Sequence, residues 1–282
     1  MCCRIHPADI VMMIGNTNSG KSTFVRQLRT YFDEYDVMEK VEFRGQIRRN
    51  LGETIERLWR EYQVEGDDEV LNAAREMFER LSDNFYVVDE VEVKDYDALY
   101  RRLIEKRSAG RSPRHSWMPE YWVERHAEIM SPGYIPTLQD IFRMRYRTIG
   151  ANVVKFGAIT VVDCGGQLPD RRKWMRIAQT ENINRIFFFV SCEDVLDEYR
   201  KQSSIEVFTS FLEEFAPELS KVEMEILFTK VDLVDDRRVD ALIKEYQKIM
   251  EDSLPTTLIA GIRKVNCLDT NEVLTAFSDI EF

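Results

Sequence analysis

Residues 15–23, GNTNSGKST, constrain this chain more than any other stretch. They follow the apolar run Ile10-Val11-Met12-Met13-Ile14 and precede Phe24, Leu28 and Tyr31 or Phe32, which recur at helical spacing. The spacing G-x-x-x-x-G-K-[ST] between a strand and a helix aims loop N–H groups and a helix dipole at one point, and that point favours phosphate. Lys21 adds a mobile cation for the outer phosphates, and the Ser22 hydroxyl a ligand for Mg2+. An ordinary Gly-containing turn is the competing reading, and the strand-before, helix-after context disfavours it. Gly15, Asn18, Ser19, Gly20, Lys21, Ser22 and Thr23 are therefore candidate contacts to a nucleoside triphosphate. The loop does not specify the base.

The remaining α/β signals resume only near residue 153. Val153–Phe156 and Ile159–Val162 read as a hairpin about Gly157, followed by strands at Arg185–Val190, Glu225–Phe228 and, more weakly, Arg263–Asn266. Helical patterns at Arg171–Ala178, Ile205–Phe215, Asp236–Met250 and Glu272–Phe277 alternate with them. That alternation predicts a mostly parallel sheet covered by helices on both faces. Between the two α/β blocks the pattern is helical only: Phe43, Ile47, Leu51, Ile55, Leu58 and Tyr62, then Val70–Leu81, then Tyr96–Leu103. Phe85–Val88 fits a strand or a helix edge, and Ser108–Pro113 reads as a loop. The expected organisation is an α/β domain of residues 1–40 and 137–282, interrupted by an all-helical domain of residues 41–136, with linkers at Asp36–Val41 and Tyr134–Gln139.

A formal net charge of −11 removes the basic footprint that nucleic-acid binding needs, so any bound anion must be held by local chemistry. No apolar run reaches the roughly 18 residues of a membrane-spanning helix. Five cysteines without C-x-x-C or metal spacing fit reduced thiols and a cytoplasmic location. Cys2 and Cys3 are weak candidates for acylation, which would add peripheral membrane attachment; two unmodified residues are the preferred reading.

Three downstream constellations decide what the loop is for. Asp163-Cys164-Gly165-Gly166-Gln167 follows the strand Ile159–Val162. A carboxylate at that strand end suits the Mg2+ shell through water, the glycines let backbone approach a γ-phosphate, and Gln167 can orient water; a Gly-Gly turn capped by Asp is an equal alternative. Thr229-Lys230-Val231-Asp232 follows the strand Glu225–Phe228. Its Asp232 carboxylate can accept from guanine N1–H and N2–H2, a pair that adenine does not offer, while the Lys230 stem can lie over the base. Thr229 lacks the amide of the commoner Asn, so no brace to the phosphate loop is expected from it. Finally, Asp140–Gly150 is rich in arginine; Arg143 and Arg145 are candidate phosphate contacts and Thr148 a Mg2+ ligand, with a solvated basic segment as the alternative.

Taken in order, the phosphate loop, helical insertion, R-x-x-T, D-x-G-G-Q and T-K-x-D resemble the alpha subunit of heterotrimeric G proteins. The likeness is densest from Tyr134 to Gly150, which resembles the second linker and switch I, and from Asp163 to Trp174 (DCGGQLPDRRKW), which resembles switch II. The resemblance implies a Ras-like P-loop GTPase domain with a helical insertion, and a switch that hydrolyses GTP to GDP with Mg2+. It makes Arg145 an arginine finger supplied in cis and Gln167 the residue that positions water. Ser22 and Thr148 become Mg2+ ligands with Asp163 in the outer shell; Gly166 meets the γ-phosphate, Lys230 and Asp232 read guanine, and backbone near Cys267 meets the base oxygen. Leu168–Trp174 would be the reorganising segment, its Arg171-Arg172-Lys173 and Trp174 either facing effectors or GTPase-activating proteins or packing back on the core.

The departures are specific. Asn18 stands where the family usually carries Glu, and Asn266-Cys267-Leu268-Asp269 replaces T-C-A-T. The sequence enters its first strand by residue 10 and stops at Phe282, so the N-terminal helix that grips a βγ dimer and the tail that docks into a seven-helix receptor are not in it. Trimmed ends and a reduced protein without ordinary βγ or receptor coupling both fit. A scaffold that binds nucleotide with little hydrolysis is the alternative to an enzyme; an ATP-using kinase leaves Thr229–Asp232 without a task.

Overall fold

The computed structural model describes residues 9–62, 118–157, 159–181, 183–219, 222–253 and 261–278. The expected helices over Val70–Leu81 and Tyr96–Leu103, the segment Phe85–Val88, the loop Ser108–Pro113, and Cys2 and Cys3 lie outside them. The chain divides into two compact units, Met1–Glu34 with Arg147–Phe282, and Tyr35–Tyr146.

In the first unit, Val11 to Ile14 are completely buried, as an apolar strand covered on both faces must be. Alternation of side chains then divides the core in two. Met12 and Ile14 of β1 (Asp9–Gly15) point with Phe188 of β4 (Arg185–Ser191) into a cluster with Phe208 and Phe211 of α9 (Glu198–Leu219) and Tyr246 of α10 (Asp236–Ser253). Val11 and Met13 point the other way with Phe187 and Phe189, onto Phe24 and Leu28 of α1 (Lys21–Phe32) and Val273 and Phe277 of α11 (Thr270–Ser278). Phe24 meets Phe189 edge-on at 5.4 Å between ring centroids, a favoured aromatic geometry.

With β2 (Ala151–Phe156), β3 (Ile159–Cys164), β5 (Glu223–Thr229) and β6 (Ile262–Val265), the strands form one six-stranded sheet ordered β2-β3-β1-β4-β5-β6. Only the β2–β3 hairpin is antiparallel; β1 runs parallel to both β3 and β4, and β4–β5–β6 continue parallel. The chain therefore leaves β1 between strands that follow on opposite sides. That reversal opens a crevice at the carboxyl ends of the strands, where doubly wound sheets bind ligands.

The expected helix Arg171–Ala178 is instead two short ones, α7 (Leu168–Arg171) and α8 (Trp174–Thr180), separated at Arg172 and Lys173. The break turns the Trp174 indole inward: it is buried and its N–H donates to the Gly165 carbonyl at 3.0 Å. Trp174 is thus a core residue rather than a partner-facing one, while Leu168, Arg172 and Lys173 are exposed.

Every described element of the second unit is a helix: α2 (Val37–Glu42), α3 (Arg44–Tyr62), α4 (Pro119–Glu124), α5 (His126–Met130) and α6 (Leu138–Arg143). Ile47, Leu51, Ile55 and Leu58 form the buried face of α3, which packs on α4 and α5. Both segments expected as linkers contain helix starts. Asp36 and Glu39 form a reciprocal capping box at α2, and Thr137 and Asp140 form another at α6, each satisfying amide groups that would otherwise fray. Asp140 is fully buried and accepts from Tyr121 Oη (2.6 Å), Arg125 Nε (2.9 Å) and Thr137 N (2.8 Å). Burial opposes its charge, but these bonds outweigh it and hold the carboxyl below its ordinary range.

Candidate functional site

The phosphate-type loop is shaped by its backbone. Asn18 adopts a left-handed conformation (φ 64°), as does Gly20 (φ 94°) at the start of α1. Asn is among the few residues with a side chain that tolerate this region, so the residue at 18 suits the turn it sits in. Lys21 is buried, and its Nζ donates to the carbonyls of Gly15 (2.9 Å) and Asn16 (2.7 Å) and to Ser19 Oγ (3.2 Å). Burial lowers its pKa from 10.5 to about 8, with the Asp163 carboxylate opposing. An ammonium held this way lacks a full counter-charge, which an anion on the loop would supply.

Directly beside it, oxygens from α1, from β3 and from the segment before β2 converge. Ser22 Oγ donates to Asp163 Oδ2 at 2.8 Å, Thr148 Oγ1 donates to the same oxygen at 3.3 Å, and the two hydroxyls are 2.9 Å apart. Asp163 is buried at the end of β3, and its Oδ1 has no hydrogen-bond partner among the described residues. Burial raises its pKa; Lys21 and Ser22 pull the other way. Two hydroxyls and one carboxylate, with an orphaned oxygen, form a hard oxygen donor set of the type Mg2+ takes when phosphates complete the shell. Among the described residues no group of three or more His, Cys, Asp or Glu side chains could hold a metal instead.

Gly165 and Gly166 are needed for different contacts. A Cβ on Gly166 would lie 2.6 Å from Gly15 O, Asn16 C and Thr17 N, so its backbone rests on the phosphate loop itself. Gly165 is wedged against Asp170: a Cβ there would come within 2.6 Å of that carboxyl. Gly165 N–H donates to Gly150 O (2.7 Å), and Gly150 N–H to Asp170 Oδ1 (2.9 Å), which ties the segment after Thr148 to the segment after Asp163. Asp170 was not legible as a site residue in the sequence. Gln167 is half-buried as the residue capping α7.

On the β5 side, Thr229 corrects an expectation. Its hydroxyl, completely buried, lies 2.8 Å from the Ser19 carbonyl and 3.2 Å from that of Val190, so it does brace the loop without an amide. Lys230 (φ 56°) turns its ammonium onto Glu193 Oε2 at 2.9 Å, and Arg200 pairs with Asp194 at 2.6 Å. Glu193 and Asp194, both buried just after β4, carried no sequence signal beyond their acidity. Asp232 is exposed on the following turn. Cys267 is buried, its Sγ 3.1 Å from where a Cβ on Gly20 would sit, and its carbonyl accepts from Gln27 Nε2 at 3.2 Å. Burial pushes its thiol up to about 12, so it is protonated and unreactive.

Thus Ser19, Gly20, Lys21, Ser22, Thr148, Asp163, Gly166, Thr229 and Cys267 come together in the first unit. Thr23 is half-buried in the first turn of α1. Arg143 and Arg145 belong to the second unit. The arginine-rich segment Asp140–Gly150 is helical as far as Arg143, and Met144, which caps that helix, is already extended. Arg143 lies over the Tyr121 ring at 4.5 Å and bonds Gln139. No helix among the described residues is long and apolar enough to cross a membrane.

Comparison with known proteins agrees with this geometry. The family model for G-protein alpha subunits matches residues 8–257. The chain is 27% identical over 263 residues to guanine nucleotide-binding protein subunit alpha-1 of Trichomonas vaginalis, covering 86% of this chain and 64% of that one. It is 28% identical over 195 residues to the alpha-5 subunit of Caenorhabditis elegans (64% and 49%), and 24% over 250 residues to subunit alpha-15 of Oryctolagus cuniculus (80% and 64%). It thus spans between about half and two thirds of the length of these curated relatives. The mostly parallel sheet, with a helical segment inserted between α1 and β2, is the Ras-like domain with helical insertion of that family, and the chain belongs to the G-protein alpha subunit family.

Proposed function

We propose that this chain is a guanine-nucleotide switch that hydrolyses GTP to GDP. The convergence of Ser22, Thr148 and Asp163 beside the buried Lys21 carries the reading, because it joins a phosphate cation to a Mg2+-type donor set. Mg2+, held by Ser22 and Thr148 with Asp163 behind them, would neutralise phosphate charge. The loop amides and Lys21 hold the outer phosphates, Gly166 N–H meets the γ-phosphate, and Gln167 orients the attacking water. Arg145 supplies cationic charge for the transition state. Asp232 accepts from the guanine edge, with Lys230 and the Cys267 backbone lining the base. Residues 41–136 act as an inserted helical domain. Loss of the γ-phosphate would free Thr148 and Gly166, and the Gly150–Gly165–Asp170 ties would pass that change between the two switch segments.

Effectors or GTPase-activating proteins would read the exposed Leu168, Arg172 and Lys173 rather than Trp174. The deciding experiment is single-turnover GTP hydrolysis with Mg2+, after identification of the co-purified nucleotide. Arg145→Ala should slow turnover by about 10³-fold or more while GTP affinity is kept. An equal rate removes the finger. A native protein that binds GTP but does not turn it over is a scaffold.

A further inference from the structure

The main chain of Arg145 is clamped by side chains of a helix nearly a hundred residues earlier. Arg145 N–H donates to Asn50 Oδ1 at 2.6 Å, and the Arg145 carbonyl accepts from Asn50 Nδ2 at 3.2 Å and from Gln46 Nε2 at 2.9 Å. Asn50 and Gln46 are one turn apart on α3 and so share a face. One amide side chain therefore satisfies both polar groups of the residue, as a neighbouring strand would, and the second donor fills the remaining lone pair of the carbonyl. Arg145 follows the end of α6, where Met144 is already extended, and this pairing replaces the ladder that an extended segment lacks.

Asn is a poor choice for the middle of a nineteen-residue helix, and a buried amide is costly unless bonded. Asn50 is 3% exposed beside the apolar face of Ile47 and Leu51. Its bonds to Arg145 compensate that cost. The helix is itself anchored, since Arg48 donates to Ile129 O (3.0 Å) and Ser131 O (2.9 Å).

We infer that Asn50, supported by Gln46, is the positioning residue of the finger: it fixes the Arg145 backbone so that the guanidinium is delivered at one height and angle. This rests on Arg145 acting as proposed above. Misplacement of a reacting group by about 1 Å costs on the order of 100-fold in rate. Asn50→Ala and Asn50→Asp should therefore slow single-turnover GTP hydrolysis by about 10- to 100-fold, the second because it sets a carboxylate oxygen against the Arg145 carbonyl. Gln46→Met, losing one of two donors, should slow it by a few-fold, and GDP affinity should stay native in all three.

A structural role alone would lower thermal stability without regard to Arg145. The discriminating readout is thus the double variant: in an Arg145→Ala background, Asn50→Ala should cause no further loss of rate. Native rates in the Asn50 variants, with Arg145→Ala slow, overturn the inference and leave the finger standing. So does a full additional loss in the double variant. If Arg145→Ala itself hydrolyses normally, the finger reading fails and the inference fails with it. Should neither Asn50 variant fold, the Gln46→Met rate decides, and a native value there overturns the inference.

Discussion

Thr229 offers the sharpest test of how the phosphate loop is held. Thr229→Val keeps shape and removes one hydroxyl whose single proton serves Ser19 O at 2.8 Å, with Val190 O at 3.2 Å sharing it. The position is completely buried, so no water can replace the bond in place. A neutral hydrogen bond contributes about 1 kcal/mol, and an acceptor left unsatisfied in the interior brings the cost to about 1–3 kcal/mol. For a domain of this size that is a fall in melting temperature of roughly 2–10 °C. Because Ser19 lies inside the loop, part of the loss should appear as faster GDP release, followed with a fluorescent analogue. Thr229→Ser keeps the hydroxyl and should release nucleotide at nearly the native rate. If Thr229→Val matches the native protein in both melting and release, the hydroxyl is not a brace.

Three further outcomes follow from the same site. Burial lowers Lys21 to about 8 while the unfolded chain holds that proton to 10.5, so between these values the unfolded state binds more protons and nucleotide-free protein gains stability as pH rises, by about 2 kcal/mol from pH 8 to 10. Denaturant unfolding of Lys21→Met against native protein isolates the effect, and parallel curves refute it. Gly166→Ala would push a methyl to 2.6 Å from loop backbone and should cost about 1–3 kcal/mol in thermal unfolding; an unchanged melting temperature means that contact is not kept in solution. Asp232→Asn should shift preference from guanosine towards xanthosine nucleotides in a competition assay, and continued GTP preference removes Asp232 from base recognition.

What was legible in the sequence is what short-range chemistry dictates. The apolar runs of β1 and β4, the Gly157 hairpin and the loop before α1 each follow from a few adjacent residues, and each stands where expected. The helix starts inside the expected linkers have a local cause too: Asp36 with Glu39, and Thr137 with Asp140, are capping pairs, and their polar character reads as loop until the reciprocal bonds are counted. The α7–α8 break was not legible, because it depends on an indole finding the Gly165 carbonyl, nine residues back in the chain but across a turn.

The residues that hold the candidate site residues are of a third kind. Glu193 under Lys230, Asp170 between the two glycine turns and Asn50 on Arg145 all act across 20 to 95 residues of sequence, and none belongs to a spacing pattern. Each is a buried polar group; Glu193 bonds Lys230 and Asn50 bonds Arg145, both singled out by their chemistry, while Asp170 accepts from the backbone of Gly150, two residues after Thr148. Candidate ligand contacts are therefore picked out by type and spacing, whereas residues that hold those candidates in place are found only by asking where buried polar groups send their bonds. Asn18 joins the two kinds. Its departure from the usual Glu was visible in the sequence, but its left-handed backbone gives a conformational reason for Asn there that is independent of any carboxylate.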